Sequence, residues 1–260
     1  MFDRIISVIA WGAILFLIAP LLIIVVSSFT ETDFVTFPPQ GFTFRWYHEA
    51  IAQGGFVEAF FDSLIIASAT MLGASLIGIP TALGLRMGTT RTQAILRSVV
   101  MAPLTLPAIV SGVALLQIYY ASGMDAPLFG IVVGHILIAV PFFIRTVTAG
   151  LERVPVSILE AAESLGASRL RILFRVLLPS ILPSICAGLA FVFIVSFDEV
   201  TMSIFFSNPD IMPLPIKIYN YIEFSVEPVI AAISTILIFS SFVLVVILQK
   251  AFGLDRALAK

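Results

Sequence analysis

The sequence predicts an all-α membrane protein with six transmembrane helices, and three observations carry that prediction. Of 260 residues, 60% are hydrophobic and only 12% are charged, more apolar surface than a soluble chain of this length can hide. The apolar residues gather into six runs, each close to the ~20 residues that a helix needs to cross a bilayer. Turn and breaker residues stand between the runs. Backbone groups in lipid must be bonded within their own segment, so each run is expected to be helical.

The runs cover about 5–27, 63–85, 98–120, 128–149, 181–206 and 229–249, and residues 1–260 read as a single transmembrane domain. The first run, Ile5–Val26, is too long for the apolar core of a signal peptide. It follows the weakly basic Met1-Phe2-Asp3-Arg4, and no A-x-A site comes after it, so a retained span is expected. The joins hold Phe37-Pro38-Pro39-Gln40-Gly41, then Gly88-Thr89-Thr90, then Ser122-Gly123-Met124-Asp125. The second run carries the small-residue pairs Ala69/Gly73 and Ala74/Gly78, which permit close helix contact.

Arginine and lysine set the expected orientation. With the N-terminus inside, the inner segments hold twelve cations: Arg4, Arg86, Arg91, Arg97, Arg145, Arg153, Arg169, Arg171, Arg175, Lys250, Arg256 and Lys260. The outer segments hold two, Arg45 and Lys217. Both termini and the segment 150–180 are therefore expected in the cytoplasm. The long outer loops, 28–62 and 207–228, are acidic: Glu31, Asp33, Glu49, Glu58 and Asp62 oppose Arg45, and Asp210, Glu223 and Glu227 oppose Lys217.

Several function classes are disfavoured at once. A net charge of −2 offers no basic surface for nucleic acid. The lone Cys186 cannot form an intrachain disulfide, and His48 and His135 belong to no metal-binding cluster. No G-x-x-x-x-G-K-[ST] sequence is present, so the chain is not expected to hydrolyse ATP.

The segment 150–180 breaks the apolar pattern. Ser157-Ile158-Leu159-Glu160 fits a capping box, with Ser157 as N-cap and Glu160 three residues on. Glu160-Ala161-Ala162-Glu163 continues a helix, and Gly166 fits the left-handed position that closes one. Ser168 can cap a second, amphipathic helix through Leu170, Leu173, Phe174 and Leu177, ending at Pro179. The pattern predicts helix, tight turn, helix. Such a hairpin presents a short rigid knob to a partner, or lies on lipid headgroups with its arginines on phosphates.

Glu-Ala-Ala, three residues, Gly, then an apolar helix ending Leu-Pro resembles the EAA loop of ABC-importer permeases. It stands between the fourth and fifth spans, where that family has it, and spans 2 to 6 resemble the permease core of type I ABC importers. The resemblance implies that the first short helix is a coupling helix, seated in a groove of the nucleotide-binding subunit. Glu160, Ala161, Ala162, Glu163, Leu165 and Gly166 then fall on the docking motif. It also implies an ATPase dimer that uses ATP and Mg, a second permease subunit, a solute-binding protein on the outer side, and a bacterial inner membrane. No cofactor is expected on this chain.

Ser196-Phe197-Asp198-Glu199 falls within the fifth run. Carboxylates in a span are costly and mark function by default. Ser196, Asp198 and Glu199 are therefore candidate residues of the substrate path, with Asp198 about 26 Å along the run. Adjacent residues point ~100° apart, so one acid is expected to face the path. The alternative is a local hydrogen-bond network or a place near the outer interface. Gln117, Tyr119 and Tyr120 suit an aromatic belt at the outer end of span 3, and His135 suits a packed, hydrogen-bonded site.

Ser-Phe-Asp-Glu, then Asn208-Pro209, then Met212-Pro213-Leu214-Pro215-Ile216-Lys217-Ile218-Tyr219-Asn220-Tyr221-Ile222, is similar to the second permease of spermidine/putrescine importers. A polyamine suits an acidic path on charge grounds. Many relatives carry Glu after the second proline of span 3, where this chain has Ala108 after Pro103 and Pro107. Relatives also carry iron, aminophosphonates or amino-acid-like solutes, which stand as alternatives. A secondary transporter would show related halves with broken helices, and no such repeat is visible. An intramembrane enzyme needs a reactive constellation, and only the acid pair is offered.

Overall fold

A computed structural model describes residues 2–52, 55–87, 90–225 and 227–252. The expected turn at Gly88-Thr89, the cations Arg256 and Lys260, and the side chain of Lys250 lie outside the described residues. Among the described residues, twelve α-helices follow one another: α1 Phe2–Ser27, α2 Arg45–Ala52, α3 Phe56–Met87, α4 Thr90–Thr105, α5 Ala108–Ala121, α6 Pro127–Glu152, α7 Val156–Ser164, α8 Arg169–Ile172, α9 Leu178–Phe197, α10 Ser203–Phe206, α11 Leu214–Phe224 and α12 Val229–Phe252. A π-helical turn, Leu173–Leu177, joins α8 to α9. No strand occurs among the described residues. Among the described residues, four helical segments are long and apolar enough to cross a membrane, or five if a bent pair counts as one span, and Val229–Val243 of α12 is a further apolar stretch.

The chain forms two compact units. One combines Met1–Glu58 with Lys217–Ile247. In it, α1 exposes apolar side chains on every side, Trp11, Phe16 and Leu17 among them, as a lipid-facing helix must. The loop after α1 is folded rather than loose. The Trp46 indole donates to the Thr30 carbonyl at 2.7 Å, the Ser28 and Tyr47 hydroxyls lie 2.6 Å apart, and Phe29 stacks on Phe42 at 5.0 Å.

The other unit, Ala59–Ile216 with Leu248–Lys260, holds the main described core. There α3, α6 and α9 pack around Phe143, Ile144, Val147, Ile181 and Val192. The small residues of α3 explain the close approach. A Cβ on Gly73 would stand 2.3 Å from Ile136, and one on Gly78 2.3 Å from Phe143. Gly188 of α9 faces the other edge of the same ring, where a Cβ would come within 2.8 Å. Phe143 therefore sits in a notch cut by two glycines, and dispersion contacts rather than water exclusion hold such helices together in lipid.

The run at 98–120 is not one straight helix. Its halves, Gln93–Thr105 and Ala108–Ala121, meet at 101°. Pro107 stands in extended conformation (φ −57°, ψ 131°) and has no N–H to give, while the residue before a proline is steered out of the helical region. Pro103, Leu104, Leu106, Ala108, Leu137 and Phe142 line an open cavity of about 170 Å³ beside the break.

The run at 181–206 also divides. A continuous helical segment, Arg169–Phe197, stops at Phe197, and α10 starts afresh after a turn. Asp198 caps the C-terminus (φ −99°, ψ 5°). A carboxylate is unfavourable at the negative end of a helix, and the β-branched Val200 and Thr201 that follow are weak helix formers. Nor does Pro179 end the hairpin's second arm: the chain passes through the π turn and continues as α9. The wide turn accommodates a proline that cannot donate to the helical ladder.

Candidate functional site: the surface hairpin and the acid turn

The hairpin after α6 is built by backbone chemistry. α7 begins one residue before Ser157, with Pro155 at the N-cap position in extended conformation (ψ 137°) and no side-chain cap. The expected Ser157–Glu160 capping box is therefore not formed, because Pro155, lacking an N–H, opens the helix earlier. Ser168 occupies the N-cap position of α8, but its side chain makes no capping bond either.

The exit of α7 is a Schellman closure. Leu165 is the C-cap, and Gly166 follows at φ +78°. The Gly166 N–H donates to the Glu163 carbonyl at 2.9 Å, and the Ala167 N–H to the Ala162 carbonyl at 3.1 Å. These two bonds satisfy carbonyls that a helix end otherwise leaves orphaned. The second alanine of Glu-Ala-Ala is thus the acceptor of the closing bond, a role that fixes its position relative to Gly166.

α7 buries none of its residues. Glu160, Ala161, Glu163, Leu165 and Gly166 are exposed and Ala162 is half-buried, with Leu165 88% exposed at the tip. Leu170 and Phe174 of the second arm also point outward. The arm's inner face, Ile172 and Leu177, is buried. The amphipathic pattern is real, but Leu170 and Phe174 lie on the outward side.

The root of the hairpin is pinned by Arg86, near the end of α3. Its guanidinium donates to the Leu151 carbonyl, in the last turn of α6, and to the Val154 carbonyl at 3.0 Å.

At the far end of α9 the acid pair has separated roles. Asp198 is exposed, and its carboxylate has no hydrogen-bond or ion-pair partner among the described residues. Glu199 is half-buried, and its Oε1 accepts the Met202 N–H at 3.1 Å, so it caps the turn that leads into α10. The Ser196 side chain bonds neither acid. Its hydroxyl is 2.8 Å from His135 Nδ1, and Ser203 Oγ is 2.9 Å from His135 Nε2. His135 is 2% exposed, so α6, α9 and α10 share a sealed polar bridge that holds the acid turn in place. The contribution of His135 and Ser203 was not expected from sequence beyond His135 being packed and bonded.

The loop after α10 is held in the same way. The Met212 N–H donates to Asp62 at 3.0 Å, and the Leu214 N–H to the Ser63 hydroxyl at 2.8 Å. Asn208 bonds the N–H groups of Asp210 and Ile211 at 3.1 and 2.8 Å. Tyr119 does not sit in an exposed belt. It is buried, its hydroxyl accepts the Ala126 N–H, and its ring meets Phe206 edge-on at 5.3 Å. Tyr120 remains exposed. In the other unit, burial, the hydrogen bond to Glu227 and the charges of Glu227 and Glu49 push the Tyr221 hydroxyl well above its ordinary range. It stays protonated and serves as a donor.

The family described as the binding-protein-dependent transport system inner membrane component matches residues 74–256. The spermidine/putrescine transport system permease protein PotC of Escherichia coli (strain K12) is 32% identical over 234 residues, covering 90% of this chain and 88% of PotC. The putrescine transport system permease protein PotI of the same strain is 30% identical over 230 residues, covering 86% of this chain and 82% of PotI. Among solved structures, a bacterial ABC transporter involved in the import of the acidic polysaccharide alginate superposes with a TM-score of 0.73. That match spans 96% of this chain and 95% of the other at 15% identity, and concerns the fold alone. The helices observed here are thus those of a type I ABC importer permease, and the extent of the sequence match fixes the family: the chain belongs to the inner membrane components of binding-protein-dependent transport systems.

Proposed function

We propose that this chain is one of two permease subunits of an ATP-driven importer, and that α7 is the element seated on the partner ATPase. The observation that supports this most is the largely exposed, glycine-closed α7, none of whose residues is fully buried within its own chain. A helix closed in this way and exposed over most of its surface suits a groove on another protein. ATP and Mg belong to that partner, which forms a dimer, and a solute-binding protein delivers cargo from the outer side to this chain and a second, related permease. ATPase closure moves α7, and the spans reorient around the path in alternating access.

The cargo proposed is a polyamine such as spermidine or putrescine. Two lines support it: the similarity to PotC and PotI, and the exposed carboxylate of Asp198 at the end of α9. A cation meeting an unpaired carboxylate regains favourable electrostatics as it sheds water. The test is uptake of labelled putrescine and spermidine into vesicles holding the assembled transporter with ATP. Uptake inhibited by unlabelled polyamine, and not by molybdate or an amino acid, is expected. Uptake of another solute instead would overturn the substrate assignment and leave the transport assignment standing.

Orientation is tested separately. With Cys186 replaced by serine, a cysteine at Ser168 should react only with reagent applied from the cytoplasmic side, and one at Gln40 only from outside. Both positions are exposed. Reversed labelling would place the hairpin away from any ATPase.

A further inference from the structure

We infer that Arg86 is a positioning residue for energy coupling: its guanidinium locks the joint between α6 and α7, so that displacement of α7 is passed to the bundle rather than absorbed by bending. This rests on the reading of α7 as the ATPase-contacting helix. One planar fork bonds the carbonyl of Leu151, before the C-cap of α6, and that of Val154, immediately before the N-cap Pro155 of α7. Both sides of the joint are therefore held by the same group. The joint's own bonds are longer, Arg153 N–H to Gly150 at 3.3 Å and Val154 N–H to Leu151 at 3.2 Å.

Three features favour a coupling role over simple cohesion. Arg86 is half-buried and pairs with no carboxylate among the described residues, so its charge is committed to backbone carbonyls at the negative end of α6. Because α7 has no fully buried residue and Leu159 is its contact with the core, its direction depends in large part on the joint. The apolar packing of Leu85, Leu151 and Val154 in the same core supplies cohesion but no direction, whereas a planar five-donor group fixes both.

The test uses the assembled transporter in vesicles and reads solute accumulated per ATP hydrolysed. Arg86→Met keeps length and loses the donors. It should still assemble with the ATPase and hydrolyse ATP, while the ratio falls about fivefold or more. Arg86→Lys, with a point charge able to reach one carbonyl, should fall between Met and the wild type. A wild-type ratio in Arg86→Met overturns the inference. If Arg86→Met fails to assemble, Arg86→Lys decides: a lowered ratio supports the inference, and a wild-type ratio or failed assembly overturns it. Failure of the wild-type chain to associate with an ATPase would instead defeat the reading of α7.

Discussion

Replacing Gly166 with valine is expected to reduce ATP-driven uptake by about tenfold or more while the protein still inserts in the membrane. Gly166 sits at φ +78°, and a Cβ built there meets nothing within 4 Å. The penalty is therefore purely conformational. It amounts to about 1–3 kcal/mol for a residue held in this region, and lies at the upper end for a β-branched side chain. The chain can avoid it by opening the Schellman closure, which frees the carbonyls of Ala162 and Glu163 and lets the tip of α7 unwind. A series separates this cause from bulk. Asparagine tolerates positive φ, so Gly166→Asn should transport nearly as well as glycine, Gly166→Ala less, and Gly166→Val least. Uptake and co-purification of the ATPase measure the effect. Equal loss in Asn and Val would mean that side-chain volume, not backbone conformation, is decisive.

The second large effect is expected at Asp198. Asp198→Asn keeps shape and hydrogen-bonding capacity, and removes a charge that no described neighbour neutralises. Uptake of a polyamine should fall about tenfold with assembly, thermal stability and basal ATP hydrolysis retained. Glu199→Gln should behave differently. The amide oxygen can still accept the Met202 N–H, so transport should stay near wild type. Glu199→Ala should instead lower stability by about 1 kcal/mol, the usual cost of a lost cap. Wild-type uptake in Asp198→Asn would remove the physical basis for a cationic cargo.

Much of this was legible in the sequence because the signals were local. Apolar runs identified the helical membrane segments, and the α3 glycines announced the close packing that Phe143 exploits. Gly166 predicted its own positive φ, since few other residues occupy that region cheaply. The misreadings arose where a turn competes with hydropathy. Residues 98–120 are apolar throughout, yet Pro107 breaks the helix, and the Pro103/Pro107 pair was the available signal. Residues 181–206 read as one run because Ile204, Phe205 and Phe206 resume the apolar pattern after the acid turn. Ser157 was the better capping residue by side chain, but Pro155 set the start of α7 by backbone geometry. The links from Arg86 to Leu151 and from His135 to Ser196 and Ser203 join residues more than sixty positions apart. Nothing in the spacing could pair them.

Contact between α7 and the ATPase can be trapped covalently. A photoactivatable cross-linker is attached to a cysteine replacing Glu163, an exposed residue of α7, in a Cys186→Ser background. Membranes expressing the whole transporter are illuminated, and the adducts are identified by mass. The expected product is an adduct between this chain and the nucleotide-binding subunit, mapping to one groove of that subunit and diminished in Gly166→Val. Adducts with lipid alone, in membranes where the ATPase is present, would contradict it and identify the hairpin as a membrane-surface anchor.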